Sequence, residues 1–431
     1  MIDIQFIRDN PEIVKQKSQQ KGYSVDIDEL LRLDVDKREL LTRVELLRQK
    51  RNEIASKLKG GRPDESTVNE GKQLKIELAE QESYLRQADD QLTVLLKKVP
   101  NMPLDEVPVG ASEDENVVIK EWGEKPNFDF RPKSHAQLAE AKGWLDKERA
   151  AKVAGARFVY LKGDLVLLDW AINMFALSKL TDPLFITEIL QKNNLSLNPK
   201  PFVAVQPPAV AKTGVYEATG RLNKEEQTYK LADDDLWLNA SAEHVLAPMF
   251  LNETLAEADL PIRMVGYTTA FRREAGTYGK DTEGFFRLHQ FNKLEMETFS
   301  TSNTSYSEHM FMIALQEYFM QVLELPYRVL EKCTADIGGP NAKGVDIDAW
   351  LPSQNTYRET HTADYITNYQ TRRMNTRVKL ANGQVEYAHT NDATAFSQRP
   401  LIAILENFQT SQGDVRVPKV LQPYLNGREI I

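Results

Sequence analysis

Between residues 28 and 99, apolar side chains recur at spacings of three and four residues, the period of a helix with one buried face. The run is interrupted at residues 60–66 (GGRPDES), where a glycine pair, a proline and capping residues end one helix and begin another. The pattern predicts two long helices that fold back as an antiparallel coiled-coil arm, about 45 Å long at a rise of about 1.5 Å per residue. The apolar positions are Leu30, Leu33, Leu40, Val44, Leu47, Ile54 and Leu58, then Leu74, Leu78, Leu85, Leu92 and Leu95.

The composition is that of a water-soluble protein of two or more domains. Of 431 residues, 41% are hydrophobic and 27% are charged, and no apolar run reaches the roughly 18 residues that span a bilayer. The N-terminal segment has early acidic residues and no apolar signal core, so we expect a cytoplasmic protein with no membrane association. Cys333 is the only cysteine, which excludes a multi-cysteine metal site, and no zinc is expected. The net charge of −9 argues against indiscriminate coating of nucleic acid, although a local basic strip remains compatible with it.

Three parts follow one another along the chain. We predict an N-terminal domain at 1–103, a Pro-rich acidic linker at 104–127 and a large domain at 128–431. The large domain alternates strands and helices without βαβ periodicity and has no G-x-x-x-x-G-K-[ST] loop, which favours an α+β fold with an antiparallel sheet flanked by helices. A long amphipathic helix is expected from about residue 165 to 190, ahead of the strand FVAVQPP.

Residues 271–299 (FRREAGTYGKDTEGFFRLHQFNKLEMETF) combine cations, acids and an aromatic ring in one hairpin-like unit. Two alternating segments flank a loop that contains Gly276, Gly279 and Gly284, which predicts two antiparallel strands with a long connection. A guanidinium can grip a phosphate through two hydrogen bonds, and Phe291 offers a flat surface for a base. A single R-x-E is usually a surface ion pair, but this long ordered combination favours an ATP site.

Basic side chains concentrate toward the tip of the first predicted arm helix. Such a run is usually the solvated face of a helix, and the alternative is a surface that binds the backbone of an RNA by shape. The candidate RNA-binding residues are Arg43, Arg48, Lys50, Arg51, Lys57 and Lys59.

The 271–299 segment resembles motif 2 of class II aminoacyl-tRNA synthetases. Its R-x-E-A-G, G-x-D-T-x-G and R-x-H-Q-F-x-K-x-E elements are similar to those of the seryl-tRNA synthetase family, as are MIDIQFIRDNPE, RLDVDKRELL, LRQKRNEI and the terminal VRVPKVLQPYLNG. The resemblance implies a class II catalytic domain at 128–431 and a homodimer formed through the helix-strand-proline segment. It also implies that the helical arm holds the long variable arm of a tRNA.

For ATP, the resemblance implies that Arg272 binds the α-phosphate and the substrate carboxylate, and that Arg399 holds the γ-phosphate. The family's Glu-x-Ser-Ser segment falls on residues 359–362, and it implies Mg²⁺ at Glu359 and Thr362. Arg272, Glu359 and Arg399 are the catalytic candidates. The full predicted ATP-binding set is Arg272, Arg273, Glu274, Arg287, Phe291, Glu359, Thr360, His361, Thr362 and Arg399.

For the amino acid, Ser241-Ala242-Glu243 resembles the family's Thr-x-Glu segment, which holds the substrate ammonium and hydroxyl. Alone, Ser-Ala-Glu would be taken as a helix N-cap. In the family, a residue between His389 and Arg399 supplies a further hydroxyl that binds the serine substrate. This position falls on Ala393 when counted back from Arg399 and on Thr394 when counted forward from His389. We favour Thr394 because the alanine side chain cannot form a hydrogen bond. The predicted serine-binding set is Ser241, Ala242, Glu243, Arg272, Glu295 and Thr394.

The predicted function is that of a serine–tRNA ligase, which converts L-serine and ATP to seryl-adenylate and transfers the seryl group to tRNA(Ser) and also tRNA(Sec). Two alternatives stay open. One is a ligase that loads an amino acid onto a carrier protein, although such a ligase would be expected to lose the arm. The other is a degenerate RNA-binding paralogue, suggested by the unusual Gln398 and Pro400 beside Arg399.

Overall fold

A computed structural model describes residues 1–58, 65–222, 228–274 and 283–431, without the side chains of residues 57 and 58. The described residues form two compact units, Met1–Met102 and Pro103–Ile431. Several sequence predictions fall outside the described residues. They are most of the turn at 60–66, Lys59, the side chain of Lys57, and the loop glycines Gly276 and Gly279.

The first unit contains the predicted helical arm. Its helices are α1 (Ile4–Asp9), α2 (Pro11–Gln20), α3 (Ile27–Leu58) and α4 (Glu65–Lys98). Ion pairs join Lys37 to Asp89 and Arg48 to Glu82, so residue numbers rise on α3 as they fall on α4 and the two helices are antiparallel. The apolar seam predicted from the spacing is buried, which confirms the arm. Its buried members are Leu30, Leu33, Val44, Leu47, Ile54, Leu74, Leu78 and Leu92.

The second unit is built around an eight-stranded sheet among the described residues. Its strands occur in the order β1-β10-β11-β12-β15-β9-β8-β4, and all neighbours are antiparallel except β4 and β8. The bounds of these strands are β1 (Val117–Trp122), β4 (Val203–Val205), β8 (Ile262–Phe271), β9 (Gln290–Ser300), β10 (Tyr327–Glu331), β11 (Lys343–Leu351), β12 (Thr356–Thr367) and β15 (His389–Ser397). The predicted α+β fold with a mainly antiparallel sheet is confirmed.

Short strands and helices surround the large sheet. The other strands are β2 (Leu145–Asp146), β3 (Tyr160–Leu161), β5 (Val210–Lys212), β6 (Leu236–Leu238), β7 (Thr254–Ala256), β13 (Arg377–Lys379) and β14 (Val385–Tyr387). The helices are α5 (His135–Ala141), α6 (Lys147–Ala154), α7 (Asp164–Leu180), α8 (Pro183–Lys192), α9 (Thr213–Ala218), α10 (Glu243–Leu246), α11 (Ser305–Val322), α12 (Tyr369–Met374) and α13 (Gln398–Asn407).

The two faces of the large sheet differ in polarity because side chains alternate along each strand. One face carries apolar residues such as Leu294 and Met296 of β9, and the main hydrophobic core joins them to α7, α11 and α13. The intervening residues Lys293, Glu295 and Glu297 are polar and buried on the other face. Polar side chains are costly to bury without partners, so this second face is where a functional site is expected.

Two sequence predictions require correction. The 104–127 segment was expected to be a linker, but its residues Val117–Trp122 pair with β10 as an edge strand of the large sheet; its charged and Pro-rich surroundings concealed a short exposed strand. The long helix expected at 165–190 is two helices. Asp182 accepts a hydrogen bond from Leu184 N, and Pro183 begins α8, so the chain ends α7 and starts a new helix.

Candidate active site

Two adjoining cavities open over the polar face of the sheet, with volumes of about 340 and 270 Å³. The strands β8, β9, β12 and β15 and the turns that follow them supply most of the lining. The two cavities share seven lining residues and form one continuous site: Arg221, Arg272, Glu274, Arg287, Lys293, Thr362 and Asp364.

Arg272 lies directly after β8, where the β8–β9 pairing ends. The register pairs Ala270 with Phe291, so the aromatic ring of the neighbouring strand lies beside Arg272. The Arg272 guanidinium carbon is 5.2 Å from the centre of the Phe291 ring, and its Nε donates to Ala240 O at 3.2 Å. Arg272 lines both cavities, the position that an anion clamp between them requires.

Glu274, just after β8, and Arg287, just before β9, form an ion pair. Arg287 Nε donates to Glu274 Oε2 at 2.5 Å, and both side chains line both cavities. Glu274 adopts a φ of 50°, a left-handed conformation uncommon outside glycine, which places it at the end of the strand rather than in it. Arg273 lines neither cavity: its Nε donates to Thr228 O at 2.9 Å and it stacks on Tyr229, which corrects its placement in the ATP-binding set.

Arg399 and Glu359 form an ion pair at one end of the second cavity. Arg399 Nη1 lies 2.9 Å from Glu359 Oε1, and the guanidinium carbon is 5.0 Å from the centre of the Phe286 ring. Partial burial acts to raise the pKa of Glu359, but Arg399 and Lys332 outweigh it and lower that pKa to about 2. Glu359 is therefore an anion at neutral pH, and half of its side chain is exposed.

The 359–362 segment of β12 is divided between the two faces of the sheet. Thr360 and Thr362 line the second cavity with Glu359. His361 instead packs on Phe396 in the core, and its Nε2 lies 3.1 Å from Ala395 O. The pairing shifts here: Ile347 of β11 pairs with His361 and Asp348 pairs with Glu359, so Thr360 of β12 is the extra residue of a bulge. The His361 side chain therefore lies on the apolar face and not beside Glu359, because the skipped Thr360 breaks the alternation between them, which corrects its placement in the predicted ATP site.

Three of the residues predicted to bind serine line the first cavity: Ser241, Glu243 and Arg272. Ser241 Oγ donates to Glu295 Oε2 at 2.6 Å, and Lys293 Nζ lies 2.5 Å from the same carboxylate. Glu295 is fully buried behind these two cavity-lining residues. Glu243 lines the cavity and accepts a hydrogen bond from Gln370 Nε2 at 2.8 Å. Ala242 belongs to the hydrophobic core and presents no side chain to the cavity, which corrects its inclusion.

Ala393 and Thr394, the two alternatives for the serine-binding position before Arg399, lie on opposite faces of β15. Ala393 pairs with Met296 and is part of the hydrophobic core. Thr394 pairs with Glu295 and lines the second cavity. The placement of Thr394 beside Glu295 is what a hydroxyl-binding site needs, while its role in binding stays a prediction.

Five charged residues at or beside the amino-acid end of the cavity were not among the predicted site residues. Arg221, Lys293, Asp364 and Asp392 line the cavity, and Glu297 lies next to Asp392 on the sheet. Alternation along the strands could have identified Asp364 and Asp392, because they lie two positions from Thr362 and Thr394 and therefore on the same strand faces. Burial, followed by the neighbouring carboxylates, raises the pKa of Asp392 and of Glu297 well above the usual range. Arg221 carried no sequence signal, because it lies in a turn and reaches the cavity only in the folded chain.

The arrangement separates two kinds of chemistry. Arg272, Arg287 and Arg399 offer guanidinium groups to phosphates. Glu243 offers a carboxylate to an ammonium, and Thr394 offers a hydroxyl next to the buried Glu295. Such a pair of adjoining subsites suits the joining of an amino acid to a nucleotide.

Three further predictions concern metals, membranes and the arm. In the described ranges, no group of three or more His, Cys, Asp or Glu side chains is arranged to hold a metal ion. No described helix has both the length and the apolar character needed to cross a bilayer. On the arm, Arg43, Arg48, Lys50 and Arg51 are exposed along α3, and Arg43 and Arg48 pair with Glu77 and Glu82 of α4.

Comparison with known proteins matches both units to described domains. The description "Seryl-tRNA synthetase N-terminal domain" matches residues 1–103, and "tRNA synthetase class II core domain (G, H, P, S and T)" matches residues 228–408. Both agree with the resemblance drawn from the sequence motifs.

Similar proteins match over their full lengths. A serine–tRNA ligase of Deinococcus radiodurans is 38% identical over 100% of this chain and 99% of its own, and one of Methanocella arvoryzae is 37% identical over 100% of both. A crystal structure of seryl-tRNA synthetase from Pyrococcus horikoshii complexed with ATP is 36% identical, with a TM-score of 0.88 over 100% of this chain and 99% of that one. The chain therefore belongs to the seryl-tRNA synthetase family of class II aminoacyl-tRNA ligases.

Proposed function

We propose that this chain activates L-serine with ATP to form seryl-adenylate and pyrophosphate, and transfers the seryl group to the 3′ end of tRNA(Ser) and of tRNA(Sec). The observation that carries the proposal is the continuity of the two cavities: a guanidinium end and a carboxylate end meet at Arg272 and Lys293. The similar Pyrococcus structure is complexed with ATP, which supports a nucleotide at the guanidinium end.

In the first step, the serine carboxylate attacks the α-phosphorus of ATP, and both reactants are anions. Arg272 is the cation between the two subsites, so it can hold the carboxylate and the α-phosphate together while negative charge builds up. Phe291 stacks on adenine under that guanidinium, and Arg399 binds the γ-phosphate end. On binding, the triphosphate competes with Glu359 for the Arg399 guanidinium, which is paired at 2.9 Å.

Amino-acid recognition follows from the carboxylate end. Glu243 accepts the serine ammonium, and Glu295 with Thr394 binds the side-chain hydroxyl. A site that provides hydrogen-bond partners for a hydroxyl can reject alanine and glycine strongly, because those analogues leave buried polar groups without partners.

Mg²⁺ fits the donor set near the phosphates. Glu359 and Thr362 provide a carboxylate and a hydroxyl at the second cavity, both hard oxygen donors. Mg²⁺ commonly binds through one or two carboxylates together with substrate phosphates and water. When bound, the ion would neutralise charge on the phosphates, and Glu359 and Thr362 would hold it.

The arm and the apolar surface supply the remaining partners. Exposed Lys50 and Arg51 on α3 suit contacts with the phosphate backbone of a tRNA variable arm. Leu167, Trp170 and Met174 of α7 are large apolar residues exposed on one protomer, and they suit a homodimer interface. We place the enzyme in the cytoplasm, where ATP and tRNA are available.

The test is amino-acid-dependent exchange of pyrophosphate into ATP, measured across all amino acids and followed by charging of tRNA. The proposal expects exchange with serine and charging of tRNA(Ser). Exchange without charging would favour the carrier-protein ligase instead. No exchange with any amino acid would favour the RNA-binding paralogue and overturn the proposal.

A further inference from the structure

A tight turn delivers Arg221 to the amino-acid end of the site. Thr219 ends α9, and its hydroxyl donates to Tyr216 O at 2.7 Å and accepts from Arg221 N at 3.2 Å. Gly220 adopts a φ of +76°, and a Cβ there would meet Arg373, Pro340 and Tyr369 at 3.3 Å, so the turn requires glycine. The backbone therefore fixes the direction in which Arg221 leaves the chain.

The Arg221 side chain lies within a group of carboxylates. Its Nε donates to Glu243 Oε1 at 2.9 Å, and its Nη2 is 3.5 Å from both Asp364 Oδ2 and Asp392 Oδ1. Only 13% of the Arg221 side chain is exposed, and each of the three carboxylate side chains is exposed by 8% or less. Arg221 lines both cavities, so this group faces the substrate site and is not an isolated structural pair.

A fourth carboxylate adjoins the group on the sheet. Asp364 pairs with Asp392 across β12 and β15, and Asp392 pairs with Glu297 across β15 and β9, so three acids lie side by side. Glu297 is fully buried, and neither of its carboxylate oxygens has a hydrogen-bond partner among the described residues. We call Glu243, Glu297, Asp364 and Asp392 the acid cluster. Arg221 pairs with Glu243, Asp364 and Asp392 of this cluster. Burial, followed by the neighbouring acids, raises the pKa of Asp392 and Glu297 well above the usual range, so these two carry less negative charge than ordinary carboxylates.

We propose that Arg221 determines amino-acid selectivity by holding Glu243 for the substrate ammonium and by filling the acid cluster, so that a substrate with a second ammonium is excluded. This inference rests on the proposed function, since it assigns Glu243 to the ammonium of serine. The excluded class is that of short diamino acids, of which 2,3-diaminopropionate is serine with an ammonium in place of the hydroxyl.

The physical basis is charge competition in a buried site. A guanidinium already among the carboxylates repels a second cation that approaches from the cavity, whereas a neutral hydroxyl experiences no such repulsion. Removing the guanidinium leaves buried carboxylates without their cation, an unfavourable state that an incoming ammonium can relieve. If the role of Arg221 were purely structural, its loss would instead lower kcat/KM for every amino acid to a similar extent.

The experiment compares serine, alanine and 2,3-diaminopropionate in pyrophosphate exchange by the full-length wild type, Arg221→Ala and Arg221→Lys. We expect Arg221→Ala to lower kcat/KM for serine, mainly through KM, and to raise that for 2,3-diaminopropionate at least about tenfold without a gain for alanine. Added guanidinium ion should restore part of the serine reaction. Arg221→Lys keeps a cation and should keep the exclusion.

Controls separate folding and the parent function from the inference. Arg328→Ala removes a comparable guanidinium from the buried Asp348 at 2.8 Å and should leave the selectivity unchanged. Arg221→Gln, which keeps a donor but no charge, serves if Arg221→Ala does not fold. No gain for 2,3-diaminopropionate in either folded variant overturns the inference, as does its efficient use by the wild type. Absence of serine exchange in the wild type would instead defeat the proposed function.

Discussion

At the scale of single residues, the site depends on which face of a strand each side chain occupies. Thr394 and Asp392 lie on the polar face of β15, while Ala393 between them belongs to the core. One position of shift would exchange these roles completely. The chemistry of the pocket is therefore fixed by the pairing of β15 with β9 and β12.

The first prediction tests the assignment of Thr394. Thr394→Ala removes a hydroxyl at the cavity and should reduce the preference for serine over alanine about tenfold or more, since buried hydrogen bonds control such discrimination. Ala393→Gly lies on the core face and should leave that preference unchanged, with a stability loss of about 1 kcal/mol. The measurement is kcat/KM for both amino acids in pyrophosphate exchange. Equal, small effects from the two variants would contradict the assignment.

The second prediction concerns Arg272. Arg272→Lys keeps the charge but loses the planar fork that can grip carboxylate and phosphate together, so kcat for serine-dependent exchange should fall about 10²-fold. Arg149→Lys changes an arginine on α6 that is 76% exposed and serves as the matched control. Steady-state exchange kinetics measure both. A decrease of less than about threefold would mean that Arg272 does not clamp the reactants.

Sequence reasoning reached some site residues and not others for physical reasons. Arg272, Glu359 and Arg399 belong to sequence segments that resemble motifs of the family, and the structure brings all three to the cavities. His361 was misplaced because the bulge at Thr360 of β12 is not visible in the sequence. Arg221 was missed because only the tertiary fold brings its turn to β12 and β15.

At the scale of elements, the arm is the clearest case of structure set by a local pattern. The spacing of Leu74 and Leu78 alone identifies the buried face of α4, and the structure buries both residues against α3. The break between α7 and α8 was harder to see, because Asp182 and Pro183 interrupt a continuous apolar pattern with only a cap and a proline.

The third prediction tests the basic surface of α3. Both Lys50 and Arg51 are exposed, so the double reversal Lys50→Glu/Arg51→Glu should leave folding intact. It should raise KM for tRNA about tenfold or more by replacing attraction to phosphates with repulsion, while pyrophosphate exchange stays unchanged. The double reversal Arg377→Glu/Lys379→Glu, on exposed residues of β13, is the control. Normal tRNA KM in the α3 variant would rule out this surface.

At the scale of the whole molecule, buried histidines link stability to pH. Burial lowers the pKa of His309 to about 4 and, in the same way, that of His389 to about 4. In the unfolded chain the pKa is about 6.5, so the unfolded state binds protons first as pH falls. The contribution of each neutral histidine is complete above pH 6.5 and is lost between about pH 6.5 and 4.

The fourth prediction uses His309→Phe, which keeps a ring in the core without a titrating group. For each protein, the quantity compared is the decrease in unfolding free energy from pH 8 to pH 5. This decrease should be smaller in the variant than in the wild type by about 2 kcal/mol. Chemical denaturation at the two pH values measures it. An identical loss in both proteins would show that His309 does not titrate in this range.

The most direct test of the account is a structure of the enzyme with a non-hydrolysable seryl-adenylate analogue. We predict adenine on Phe291, the phosphate substitute within hydrogen-bond distance of Arg272, and the seryl ammonium and hydroxyl at Glu243 and Glu295. An analogue bound at another site, with Arg272 and Glu295 out of contact, would contradict the account.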